Sequence, residues 1–277
     1  MSFESGHWYT RDGQARHTQP TISRTAKSPT RPTRLADAVK DKLLPSVSAI
    51  TKMLSAPGLE VYKMRKLAEC CFNNPAHPGE EMKGYINNMI EKSSGDAGSA
   101  ADLGTLIHKC IEDYFNHGSY ENKEVDLSTG KTCMLSEMVE PAIDKWKSLS
   151  LTVSNSEKIL VSGRYGYAGT TDIIWSSFTN YGVLDWKSKR TDKDKEIDSI
   201  DTHVMQIAAY ISAHWSEHDS VTPFGQHAKG YNMYISTTEP GRVELKEYSY
   251  KTLINAWEDF NCLCQLWRSR NEYDPRF

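Results

Sequence analysis

The sequence has no apolar run approaching the ~18 residues that a membrane span requires, which predicts a protein that does not cross a bilayer. It has no CxxC spacing among its six cysteines, Cys70, Cys71, Cys110, Cys133, Cys262 and Cys264. The stretch near residue 1 lacks the apolar segment of a secretory signal, and together these predict a reducing, cytoplasmic compartment. There is no excess of positive charge: 33 Lys and Arg stand against 36 Asp and Glu, for a net charge of −3 and a pI near 6.3. A surface coated in phosphate-binding charge is thereby excluded, so any contact with nucleic acid needs a local patch. No internal repeat signals a solenoid or propeller. What is present, 38% hydrophobic and 25% charged residues over 277 positions, fits one globular unit with a terminal extension.

Residues 13–36 hold five Lys or Arg (Arg16, Arg24, Lys27, Arg31, Arg34), three prolines, many Ser and Thr, and no acid. Such a stretch cannot build a core by itself, so residues 1–42 read as a mobile basic tail. A basic arm on DNA phosphates is a second reading. Glu4, Asp12 and the prolines weigh against organelle targeting. The single folded domain is expected over 43–277, with a helical part over 43–150. Segments 61–72, 80–92 and 103–115 carry apolar residues at helical spacing, and 132–149 looks helical with a kink or break at Pro141.

From there the pattern changes to short segments rich in Val, Ile, Tyr and Trp. Strands are expected at 157–162, 167–175 and 182–187 as an antiparallel meander, then a helix over 200–218, strands at 230–236 and 242–248, and a last helix over 253–270. The predicted class is α/β, a mixed sheet flanked by helices.

The chemistry centres on Asp172 and on the triplet Asp185-Trp186-Lys187 thirteen residues later, joined by one hairpin turn. The two acids can sit on adjacent strands. Side chains alternate along a strand, so Asp185 and Lys187 share a face while Trp186 points into the opposite layer. Phosphodiester cleavage needs a divalent cation on oxygen ligands, and two neighbouring carboxylates offer that seat. A lysine beside them can hold an attacking water or stabilise charge growing on the phosphate. An Asp-x-Lys triplet arises by chance about once in a chain of this length, so context must decide. The relaxed pattern also fits Glu81-Met82-Lys83, Glu121-Asn122-Lys123 and Glu244-Leu245-Lys246, but only Asp185 ends an apolar run with a partner acid on the preceding strand.

Upstream, His108 and Glu112 lie four apart on one helix face, where either could reach a metal. A lone His on such a helix is more often a hydrogen-bonded structural residue. Downstream, His203, Gln206 and Tyr210 form a polar stripe, opposite the apolar face of their helix, that suits contacts to a phosphate or base. In isolation that stripe is ordinary helix surface.

Taken in order, Gly104-x-x-x-His108-x-x-x-Glu112, Gly169-x-x-Asp172, Asp185-x-Lys187 and Gln206-x-x-x-Tyr210 resemble the RecB-like branch of the PD-(D/E)XK nucleases. The opening Pro45-Ser46-Val47-Ser48-Ala49-Ile50, followed by Pro57-Gly58-Leu59, is similar to the mitochondrial genome maintenance exonucleases and related phage exonucleases. The resemblance implies a restriction-endonuclease-like core. It also implies Mg²⁺ or Mn²⁺ held by His108, Asp172, Asp185 and the Trp186 carbonyl, a catalytic Lys187, and DNA contacts from Gln206 and Tyr210. Glu112 would be an accessory, and Lys189 and Arg190 further phosphate contacts.

The implied activity is exonucleolytic hydrolysis of single-stranded DNA in replication, recombination or repair, leaving a 5′-phosphate and a 3′-hydroxyl. A single-strand-binding or recombinase partner fits that setting. Some relatives hold an iron–sulfur cluster on one early and three late cysteines. Here only Cys262-x-Cys264 lies late, so no cluster is expected and these thiols read as buried small hydrophobes. An endonuclease or resolvase of the same fold, and a catalytically idle DNA-binding module, are the competing readings.

Overall fold

In the computed structural model the described residues are 6–21, 28–54, 57–127, 129–215 and 223–277, with the side chains at 57, 59 and 94–101 left aside. The chain opens with β1 (Trp8–Tyr9) and the hairpin of β2 (Thr18–Pro20) and β3 (Thr30–Pro32). Next come α1 (Leu35–Asp41), β4 (Leu44–Pro45), which pairs antiparallel with β1, and α2 (Val47–Thr51). Two long helices, α3 (Pro57–Asn73) and α4 (Met82–His117), lead into a small hairpin of β5 (Glu124–Asp126) and β6 (Thr132–Met134) and then α5 (Ser136–Ser148).

The remainder is β7 (Thr152–Ser162), β8 (Tyr167–Ser176), β9 (Tyr181–Lys189), α6 (Asp201–Trp215), β10 (Ala228–Ser236), β11 (Val243–Tyr248) and α7 (Tyr250–Asn271). The central sheet has the order β11-β10-β9-β8-β7. Strands β7, β8 and β9 form the expected antiparallel meander, and β10 joins parallel to β9 because α6 carries the chain back across the sheet. The fold is α/β, with a mixed five-stranded sheet between helical layers. No helix of the described residues is long and apolar enough to cross a membrane.

Two cores sandwich the sheet. One gathers Val183, Ile174, Ile207, Ile211, Phe260 and Trp267 beneath α2, α6 and α7, and the other gathers Ile173, Leu184, Trp186, Ile107 and Trp146 beneath α4 and α5. Alternation along β9 sends Val183 and Leu184 to opposite layers, as a strand buried on both faces requires. The sheet also turns over along β8. Tyr167 packs in the first core, while Ile173 and Trp175, of the same parity, pack in the second.

Several expectations need correction. Residues 1–42 are not a free tail over their described part. Trp8 is fully buried against Trp267 at 6.1 Å between ring centroids, Ala38 is buried, and Arg31 pairs with Asp37 at 2.6 Å. The compositional average concealed a few apolar anchors, each able to bury far more area than its neighbours expose. Segments 80–92 and 103–115 belong to one 36-residue helix, α4, which runs through the Ser- and Gly-rich stretch between them. The segment 132–149 begins as strand β6, and helix α5 then continues through Pro141. Strand β7 starts at Thr152, ahead of the expected 157. The end of the expected helix, 216–218, lies outside the described residues. Of the two late cysteines, Cys264 is buried as expected, but Cys262 is exposed.

Candidate active site

Backbone pairing between β8 and β9 runs from Ser176–Tyr181 to Ile173–Leu184 and stops there. One step further stand Asp172 and Asp185. The N–H of Trp186, no longer engaged with β8, donates to Asp172 Oδ2 at 2.6 Å. The Trp186 ring turns into the second core and stacks on Phe115 at 6.2 Å, so the triplet does divide between layers.

Lys187 Nζ reaches Asp185 Oδ2 at 2.7 Å and donates to Gln206 Oε1 at 2.8 Å. Gln206 Nε2 in turn donates to the Tyr210 hydroxyl at 3.1 Å. The polar stripe of α6 therefore faces the sheet, contrary to the expectation that it lies opposite the apolar face. Every residue from Val204 to Ala213 except Gln206 is buried, as in a helix that is covered on all sides. Gly169 permits the approach of this helix, since a Cβ there would meet the Tyr210 ring at 2.8 Å. His203 is engaged elsewhere, its Nδ1 sharing a hydrogen bond of 2.9 Å with the Tyr234 hydroxyl. Burial, then the nearby Lys187 ammonium, pushes the His203 imidazole down to about 4.

Helix α4 brings His108 from the other layer, with Nδ1 3.9 Å from Asp172 Oδ2. Burial lowers this imidazole and favours its neutral, ligand-competent form. Glu112, one turn on, is half-buried with Lys109 at 3.9 Å. The outer basic residues do not converge. Lys189 Nζ donates to the Asp198 carbonyl at 3.1 Å and stands over the Tyr234 ring, and Arg190 is exposed beyond the end of β9.

Three groups escaped the sequence reading. Glu157 lies on β7 between the pairs Ser156–Ile173 and Lys158–Thr171, hence across from Asp172, with φ of 49°. Burial, then Glu112 and Asp185, pushes its carboxyl up to about 7. Nothing in a lone Glu within a polar stretch marks it beforehand. Asn232, fully buried on β10, donates to Asp185 Oδ2 at 3.2 Å, and Tyr248 donates to Asn232 Oδ1 at 3.0 Å. An amide inside the apolar run Tyr231 to Ile235 was the available signal. The rival triplet Glu244-Leu245-Lys246 is absorbed elsewhere. Glu244 accepts from Ile197 N at 3.0 Å and pairs with Arg242, while Lys246 pairs with Glu196 at 2.5 Å.

The donor set suits a hard divalent cation: carboxylates with one neutral imidazole. Among the described residues no three His, Cys, Asp or Glu side chains are gathered closely enough to hold an ion as they stand. The charge nevertheless asks for one. Burial, then Asp185 and Glu157, holds the Asp172 carboxyl well above the usual range, and among the described residues Lys187 alone sets an ammonium at ion-pair distance from Asp172, Asp185 or Glu157.

No family model matches the chain. No curated protein matches it either. Among solved structures, a crystal structure of SSO0001 aligns with 75% of this chain and 87% of its own at 17% identity and a TM-score of 0.28, a likeness too slight to carry an argument.

Proposed function

We propose that this protein is a metal-dependent deoxyribonuclease with a restriction-endonuclease-like core, acting on single-stranded DNA ends. The observation that carries the reading is the Lys187 ammonium held at once by Asp185 and Gln206, beside a second acid, Asp172, at the point where β8 and β9 part. A module that only binds DNA gains nothing from buried acids that repel phosphate.

A Mg²⁺ or Mn²⁺ ion on Asp172, Asp185, His108 and the Trp186 carbonyl would lower the pKa of a water and neutralise charge on the scissile phosphate. The chain's own residues supply the rest. Lys187 Nζ, fixed by two acceptors, stands ready to donate its remaining hydrogen to a phosphate oxygen or to the attacking water. Gln206, implied by resemblance as a DNA contact, orients that ammonium, and Tyr210 orients Gln206. Preorganisation of this kind avoids spending rotamer freedom during the reaction.

The test is nucleotide release from end-labelled single-stranded DNA with Mg²⁺, Mn²⁺ or EDTA, comparing wild type with Asp185→Ala. Metal-dependent release that disappears in the variant supports the reading. No release with any metal moves it to a DNA-binding module. Rapid cutting of a covalently closed single-stranded circle replaces the exonuclease with an endonuclease.

A further inference from the structure

Behind the acid that carries the proposed chemistry lies a buried polar chain. Strand β10 runs parallel to β9 and sets Asn232 directly beside Asp185, and Asn232 is 0% exposed. Its Nδ2 lies 3.2 Å from Asp185 Oδ2 and 3.4 Å from the Asp185 backbone oxygen. On its far side Oδ1 accepts from Tyr248, a residue of the edge strand β11 that is itself buried. The amide can stand only one way round. With Oδ1 turned toward Asp185 it would face two acceptors and no donor, and that burial is costly.

The consequence falls on a particular oxygen. Lys187 Nζ also bonds Oδ2, so among the described residues the hydrogen bonds to this carboxylate converge on Oδ2 and none engages Oδ1. From this we infer that Asn232 is a positioning residue. Locked by Tyr248, it fixes the Asp185 carboxylate so that Oδ1 is presented to a divalent cation. The inference rests on the nuclease reading and names the support for its metal seat. Outer partners of this kind orient the ligand and keep it ionised, and their loss typically weakens metal affinity by about 10- to 100-fold.

The experiment is Mn²⁺ binding to the full chain without DNA, followed by calorimetry and by the loss of free-Mn²⁺ electron paramagnetic resonance signal, for wild type, Asn232→Ala and Tyr248→Phe. Thermal melting in EDTA identifies the variants that fold. Asn232→Ala is expected to weaken Mn²⁺ binding by about tenfold or more. Tyr248→Phe, which keeps the amide but takes away the donor that anchors its Oδ1, should weaken binding severalfold. Nucleotide release should need correspondingly more Mn²⁺ for half-maximal rate while recovering most of its rate at saturation. A purely structural Asn232 would lower the melting temperature and leave the Mn²⁺ affinity of the folded variants unchanged, and that result overturns the inference. If Asn232→Ala does not fold, unchanged affinity in Tyr248→Phe overturns it alone. Wild type that binds no Mn²⁺ sinks the nuclease reading itself, and is distinguishable because the variants then have nothing to lose.

Discussion

Replacing Lys187 by Met keeps the length of the side chain and removes its charge. The Lys187 ammonium sits 2.7 Å from Asp185 Oδ2, with the Lys side chain 21% and the Asp side chain 4% exposed. Breaking a buried pair from one side leaves the other charge uncompensated and costs about 3–5 kcal/mol. Asn232 still donates to Asp185 and the Lys is a fifth exposed, so the low end, about 3 kcal/mol, applies. For a chain of this size that lowers Tm by roughly 6–12 °C. A divalent cation restores the missing positive charge, so Mn²⁺ should raise Tm more in the variant than in wild type and close much of the gap. On the proposed nuclease reading turnover behaves differently, because no resident metal would replace a donor aimed at the reacting phosphate. The expected loss is about 10²- to 10³-fold even at saturating Mn²⁺. Scanning calorimetry in EDTA and in Mn²⁺, beside nucleotide release, measures both. A Tm change under about 2 °C in EDTA, or equal stabilisation of both proteins by Mn²⁺, would refute the assignment of Lys187 as the charge partner of a cation-seeking acid.

Trp8→Ala should cost about 3–5 kcal/mol in urea unfolding, because Trp8 is fully buried against Trp267; a change below 1 kcal/mol would return residues 1–42 to the status of a tail. Glu157, held at about 7 against an ordinary 4.5, binds its proton more tightly when folded and makes stability fall as pH rises from about 4.5 to about 7. His203, held at about 4 against 6.5, binds its proton less tightly and makes stability rise from about 4 to about 6.5. In EDTA, Glu157→Gln should therefore tilt Tm upward between pH 4.5 and 6.5 relative to wild type, and a downward tilt would contradict the placement of Glu157. Gly104→Ala would drive a Cβ into the Ser188 side chain, shifting α4 and with it His108. The helix gains up to about 1 kcal/mol from Ala, so stability should hold while nucleotide release drops about tenfold, with recovery in Gly104→Ala combined with Ser188→Gly.

Where a residue's placement depends on local spacing, the sequence was readable. Asp185 and Lys187 share a face of β9 because strand side chains alternate, and Gln206 and Tyr210 meet because helical residues four apart are neighbours. Placements that depend on which strands pair were not readable. Asn232 reaches Asp185 through the parallel register of β9 and β10, and Tyr248 reaches Asn232 through β11; neither register has a local signature. Glu157 depends on both the β7–β8 register and a positive φ, which a Glu rarely adopts. The direction of the α6 stripe failed for a related reason. An apolar helix face predicts one buried side, but α6 is covered by the sheet on one side and by α2 and α7 on the other, so its polar residues also lie inside.

The end of β8–β9 pairing connects these facts. A ladder that continued past Ile173–Leu184 would hold Asp172 and Asp185 side by side, and like charges directly opposite each other destabilise a sheet. The strands part at that step instead, and the freed Trp186 N–H is satisfied by the Asp172 carboxylate at 2.6 Å, so this buried donor is not left orphaned. The parting is also the place where β8 exchanges layers between Tyr167 and Ile173. Both α6, from one layer, and α4, from the other, can therefore bring side chains to the same acids. A flat sheet would have kept Gln206 and His108 on opposite faces, with the strand backbone between them.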